Sequence, residues 1–337
     1  MIRKPKPKVP KIAVIGGGSW ATALVKILTD NNNKIRWWMR NQEAIKYVKT
    51  YHRNPNYLSY VELNLRKYQV SDNLNRMINN SDILVLAIPA AFFKDVFEKV
   101  KPRNLNKKII ISAIKGLIPD DNLIIAEYLK QTYGVLESNL VVLSGPCHAE
   151  EVALEKLSYL TIASTKKTIA QKIAELFENR YIKTTISDDI YGTEYAAVLK
   201  NIIAIASGIC HGLGYGDNFQ AVLISNAIQE ISRFLDVVHP IGREVNNSAY
   251  LGDLLVTAYS QFSRNRTFGN MIGKGYSVTS AQMEMNMIAE GYYAVKSIHS
   301  INEQYKVDMP IVDTVYKILY EGELSRMAVQ RLTEKLG

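Results

Sequence analysis

Ile12-Ala13-Val14-Ile15-Gly16-Gly17-Gly18-Ser19-Trp20-Ala21 is a short β-branched run that ends in three glycines and opens an apolar helical segment over residues 21–28. Gly16, Gly18 and Ala21 match the G-x-G-x-x-A pattern of a dinucleotide turn. The first glycine permits the tight turn, and the second lets the backbone approach a pyrophosphate. The small third residue lets helix and strand pack, with the phosphates on free N–H groups at the helix N-terminus. A glycine-rich turn without a ligand has the same letters, so the pattern alone is weak. Its setting is what counts: after a strand, before a helix, in the first βαβ unit of an alternating chain.

Outward from that turn the alternation continues. Asn31-Asn32-Asn33 stops the first helix, residues 35–39 read as a second strand, and 41–49 as a second helix. Residues 83–88 are wholly apolar, which predicts a buried parallel strand stopped by Pro89. Segments 109–111, 140–143 and 159–162 repeat the theme. Strands separated by helices predict an α/β Rossmann domain with a doubly wound, mostly parallel sheet over residues 9–188. From about Asp188 the character changes. Residues 195–209 are apolar on nearly every side, as in a bundle helix, and 221–238, 277–300 and 312–319 add helical segments. An all-α C-terminal domain is expected over residues 189–337.

The chain has 337 residues, enough for two domains, and a net charge of +9. That charge reads either as solubility or as attraction of anions such as nucleic acid, an acidic lipid surface or small phosphorylated ligands, and no zinc finger, RNP signature or clear helix-turn-helix accompanies it, so no nucleic-acid partner is expected. No apolar run approaches the roughly 20 residues of a membrane span. The N-terminus is basic, but the apolar stretch 9–15 is too short and glycine-bounded for the core of a signal peptide, so the cytoplasm is the expected compartment. Cys147 and Cys210 are too few for a disulfide framework and have no zinc spacing, so no metal is expected.

The chemically suggestive residues gather beyond strand ends and in the helical half. Lys115-Gly116 follows the strand 109–111. Lys200-Asn201 interrupts an apolar helix; desolvation suits such a lysine to acid–base work, while a snorkelling stem would place it there equally well. Arg264 and Arg266 flank Asn265 and offer forked donors for a phosphate, although a solvated basic loop reads the same way. Asp253 is either a partner for a lysine or a helix cap. At the end of the second strand, Trp38-Met39-Arg40-Asn41 carries no acid until Glu43. Arg40 therefore permits a 2′-phosphate, leaving NADP or NAD open, and an ordinary surface arginine is the other reading.

Taken in order, Gly16–Leu24 (GGGSWATAL), Lys115-Gly116-Leu117, Ser144-Gly145-Pro146, Lys200-Asn201-Ile202-Ile203, Leu251-Gly252-Asp253-Leu254, Ser263-Arg264-Asn265-Arg266 and Glu290-Gly291-Tyr292 resemble the bacterial NAD(P)-dependent glycerol-3-phosphate dehydrogenases. The resemblance implies reversible reduction of dihydroxyacetone phosphate to sn-glycerol 3-phosphate, feeding glycerophospholipid synthesis, in a homodimer. It makes Lys200 the catalytic acid/base and Lys115 a contact to both cofactor and substrate. It places Gly145, Cys147, Asp253, Ser263, Arg264 and Asn265 around the substrate, with Asn201 beside them. Ser19, Trp20, Arg40, Ala149, Arg264, Ile288 and Glu290 become cofactor contacts with Gly16 and Gly18. Ala90, Cys147 and Ala258 depart from the residues many members carry. A related hydroxyacid dehydrogenase and a catalytically silent cofactor sensor are the competing readings.

Overall fold

The computed structural model describes residues 10–64, 68–285 and 289–337. The strands are β1 (Ile12–Ile15), β2 (Ile35–Trp38), β3 (Tyr68–Ser71), β4 (Ile83–Leu86), β5 (Ile109–Ser112), β6 (Leu117–Ile118), β7 (Leu123–Ile124), β8 (Leu140–Ser144), β9 (Ser158–Ala163) and β10 (Ile182–Ser187). Between them run α1 (Ser19–Asp30), α2 (Gln42–Tyr51), α3 (Leu74–Asn79), α4 (Phe93–Phe97), α5 (Ile125–Tyr133), α6 (Ala149–Ala153) and α7 (Lys167–Phe177). Eight strands form one sheet in the order β10-β9-β8-β5-β4-β1-β2-β3, while β6 and β7 make a separate hairpin. Within the large sheet all neighbours are parallel except β8 and β9. The strand order reverses between β1 and β4, the point where open α/β sheets leave a crevice for a ligand.

β1 and β4 are buried along their whole length, because helices cover both faces of the sheet. α1, α2, α6 and α7 pack on one face, around Trp37 and Phe177; α3, α4 and α5 pack on the other, around Phe93 and Phe97. β3 and β10 are the two edge strands, and β10 is mostly exposed beyond Ile182, so neither carries an apolar run to mark it in the sequence.

After β10 the described residues are helical: α8 (Ile190–Gly212), α9 (Asp217–Val238), α10 (Asp253–Tyr259), α11 (Arg264–Gly273), α12 (Val278–Glu284), α13 (Glu290–Tyr305), α14 (Pro310–Tyr320) and α15 (Ser325–Thr333). α8 is the axis of this bundle, with the other helices' apolar residues packed around it. By length and composition α8 could cross a membrane, which corrects the expectation that no segment approaches that length. It is 89% buried inside the protein, as a core helix is. α11 lies unusually close to it. A β-carbon at Gly208 would stand 2.1 Å from the carbonyl oxygen of Arg266, and one at Gly269 would stand 2.1 Å from that of Ile205. Glycine at both positions lets the two backbones touch, which fixes the start of α11 relative to the middle of α8.

Candidate active site

A cavity of about 650 Å³ lies beyond the carboxyl ends of the central strands, walled on its far side by α8, α10, α11 and the start of α13. The Rossmann wall begins with the glycine turn. A β-carbon at Gly16 (φ 141°) would sit 2.1 Å from the Ala87 carbonyl oxygen, so no other residue fits there. The turn is braced from behind: the Trp37 indole donates to the Gly16 carbonyl (2.6 Å), and the buried Asn54 amide donates to the Gly17 carbonyl (3.0 Å) and the Thr22 hydroxyl (2.8 Å). Gly18 has open space where its β-carbon would be, and no side chain caps α1. Nε1 of Trp20 is buried without a hydrogen-bond partner at the same wall. An uncapped helix start, a glycine that leaves room and an unmatched donor suit the pyrophosphate of a dinucleotide.

Opposite stands a charged cluster. Lys200, on α8, is 4% exposed and donates to Oδ1 of Asp253, itself 1% exposed at the start of α10. Lys115, in the loop after β5, places Nζ 3.5 Å from Oδ2 of the same carboxylate and 5.8 Å from the Trp20 ring centroid. Oδ2 also accepts from the Ser144 hydroxyl at 3.2 Å. The Asn201 amide donates to the Lys115 carbonyl at 2.9 Å, tying the loop to α8.

One carboxylate therefore faces two ammonium groups. Burial pushes Lys200 down to about 7; Asp253 pulls it up, and Lys115 repels its charge. Burial also opposes charge on Asp253 and Lys115, but there the mutual attraction wins: the carboxyl lies below its ordinary range and the Lys115 ammonium above its own. A lysine near 7, facing a cavity, can give and retake a proton close to neutral pH. Burial drives the Cys147 thiol up to about 12, so it stands as a neutral thiol. Burial likewise lowers His148 to about 4, with Lys200 and Lys115 adding to the effect, so its ring is neutral.

The start of α11 forms another wall of the cavity. Ser263 caps it, its hydroxyl accepting from the Arg266 N–H at 3.3 Å, and Arg264 is its first residue. Oδ1 of Asn265 accepts from the Gly291 N–H at 3.0 Å, which holds the start of α13 against this wall. Burial raises the Glu290 carboxyl, and Arg264 opposes that.

The structure thus brings Gly18, Ser19, Trp20, Lys115, Cys147, Ala149, Lys200, Asn201, Asp253, Ser263, Arg264, Asn265 and Glu290 onto one cavity. It does not bring all the expected residues there. Gly16, within the turn, does not line the cavity. Gly145 (φ 113°) is absent from the wall; a β-carbon there would lie 2.7 Å from the Tyr159 carbonyl, so this glycine serves the close approach of β9. Arg40 is exposed at the end of β2, 5.8 Å above the ring of Phe92, and Phe92 in turn lines the cavity. Ile288 lies outside the described residues. Sequence reasoning missed Asn54 and the contact role of Ser144: an asparagine amid loop residues and a serine ending a strand carry no local signal.

Two family descriptions match the chain: the N-terminus of NAD-dependent glycerol-3-phosphate dehydrogenase over residues 11–170, and its C-terminus over 189–330. The glycerol-3-phosphate dehydrogenase [NAD(P)+] of Staphylococcus aureus is 35% identical over 326 residues, covering 96% of this chain and 98% of that protein. The crystal structure of glycerol-3-phosphate dehydrogenase from Coxiella burnetii superposes with a TM-score of 0.90 at 29% identity, covering 96% and 99% of the two chains. At 23% identity the Plasmodium falciparum enzyme shares the fold, with a TM-score of 0.84 over 96% of this chain and 95% of that one.

Proposed function

The chain belongs to the NAD-dependent glycerol-3-phosphate dehydrogenase family, and on that premise we propose which of its residues carry the reaction. It is an NAD(P)-dependent oxidoreductase interconverting dihydroxyacetone phosphate and glycerol 3-phosphate. When bound, a reduced nicotinamide supplies the hydride that reaches C2 of the ketone. Gly18, Ser19 and Trp20 would hold the pyrophosphate, and Arg40, past the end of β2, would face the far ribose, where it permits a 2′-phosphate and so NADP as well as NAD.

Lys200 protonates the oxygen at C2 as negative charge develops there, and takes the proton back in oxidation. The observation that carries this assignment is its burial against Asp253 with a second ammonium beside it. Lys115 polarises the same carbonyl oxygen. Asn201 acts mainly by holding the Lys115 loop, since its amide is already committed to that backbone. Arg264, at the start of α11, holds the phosphate together with Asn265, and the helix dipole adds to the attraction. Ser263, Cys147 and Asp253 complete the substrate's surroundings. A competing hydroxyacid substrate would leave the anion end at α11 without a phosphate to bind.

Following NADH and NADPH absorbance with purified protein and dihydroxyacetone phosphate tests the reading; folded protein that turns over with neither refutes it. Lys200→Ala should lower kcat by orders of magnitude, and a near-normal kcat removes Lys200 from the mechanism. A homodimer in the cytoplasm belongs to the same reading, tested by light scattering and cell fractionation.

A further inference from the structure

The two oxygens of Asp253 are not equivalent. Oδ1 takes the Lys200 ammonium, while Oδ2 is shared by Lys115 at 3.5 Å and the Ser144 hydroxyl at 3.2 Å. Ser144 is the last residue of β8 and is 1% exposed. Gly145 turns the chain immediately after it, so the sheet determines where this hydroxyl stands. Asp253 belongs to the helical half, entered through the π-helical turn Ser248–Gly252. The Ser144–Asp253 hydrogen bond therefore joins a strand end of the Rossmann sheet to the carboxylate that partners the buried lysine.

An aspartate carboxylate turns about a soft, roughly two-fold torsion, and nothing intrinsic to it selects which oxygen meets which cation. Two ammonium groups compete for it here. Lys115 is the more accessible of the two, its side chain 18% exposed against 5% for Lys200. Lys200 has little access to water and depends on its hold on Oδ1.

We propose that Ser144 is a positioning residue for this reaction: its hydroxyl anchors Oδ2 to the end of β8 and so keeps Oδ1 turned onto Lys200. The inference rests on Lys200 being the proton donor. Without the hydroxyl the carboxylate swings toward sharing with Lys115, and the Lys200 ammonium loses its proton at lower pH. The other groups facing this cluster do not replace the hydroxyl. His148 and Cys147, from the loop after β8, are neutral, and Glu290, at the start of α13, has its carboxyl raised by burial, with Arg264 and then Lys115 and Lys200 drawing it back down, and it makes no hydrogen bond to Asp253 that could stand in for Ser144.

The test compares wild type, Ser144→Ala and Ser144→Thr for kcat of dihydroxyacetone phosphate reduction from about pH 5.5 to about pH 9 at saturating cofactor. Ser144→Ala deletes one oxygen without changing the backbone. It should lower kcat at neutral pH about tenfold, as expected for one hydrogen bond to a charged group, and leave the cofactor KM unchanged. Its high-pH limb should move down by about one unit or more. Ser144→Thr keeps the hydroxyl and should restore both kcat and the limb. A limb that stays at its wild-type pH in Ser144→Ala, or moves upward, overturns the proposal, because a merely structural hydroxyl would change stability and not the proton donor. The underlying reading is checked separately: wild-type turnover that vanishes in Lys200→Ala, alongside an unmoved Ser144→Ala limb, sinks only the role of Ser144.

Discussion

Asp253→Asn removes one negative charge from between the buried Lys200 ammonium and the half-buried Lys115 ammonium, and leaves the side-chain shape nearly unchanged. Opposite charges about 4 Å apart attract by about 4 kcal/mol at an effective dielectric constant near 20. That is about three pKa units. Lys200, which burial already pushes down to about 7, then titrates roughly three units lower, so at pH 7 about one molecule in a thousand carries the proton to be donated. Lys115 loses the same partner and can shed its own proton, which relieves part of the repulsion. The expected fall in kcat for reduction at pH 7 is therefore about 10²- to 10³-fold. The sign is fixed by which form works. Reduction needs Lys200 charged, so the wild-type rate falls as pH rises through about 7, and the variant's rate should still be climbing on acidification below that point. The assay is NADH or NADPH consumption at saturating dihydroxyacetone phosphate across pH, with cofactor binding followed by fluorescence to establish folding. A variant that binds cofactor normally yet stays within about threefold of wild type at pH 7 refutes the electrostatic account. So does a loss that is the same at every pH.

Gly269→Ala should destabilise the protein by about 2 kcal/mol or more and raise the KM for dihydroxyacetone phosphate, because a methyl there must push α11 and its Arg264 away from α8; urea unfolding and steady-state kinetics check both. Arg40→Ala should lower the NADPH/NADH ratio of kcat/KM, and an unchanged ratio would return Arg40 to an ordinary surface role. Glu230→Ala should cost about 3 kcal/mol in urea unfolding with little change in the turnover of folded enzyme, since the buried carboxyl group accepts the first free N–H groups of α14, those of Ile311 and Val312, at 2.9 Å each.

The strands of the central sheet, the glycine turn and the passage from α/β to helical structure were legible because they rest on local physics. A β-branched run, a glycine with a positive φ and a 3.6-residue apolar period act over a few neighbours. The sequence by itself also named much of the cavity's lining, through the ordered motifs around Lys115, Lys200, Asp253 and Arg264. It left Lys200 divided between a snorkelling stem and a proton donor. Only the tertiary structure shows that its ammonium is withdrawn from water, at 4% exposure and held by a carboxylate 53 positions away. The same holds for Gly145, which packing assigns to the approach of β9, and for Arg40, left exposed beside Phe92. Asn54, bracing the turn from 37 residues downstream, had no local pattern to announce it. Desolvation and charge pairing are sums over whatever the fold brings near, and that sum exists only once the chain has closed on itself.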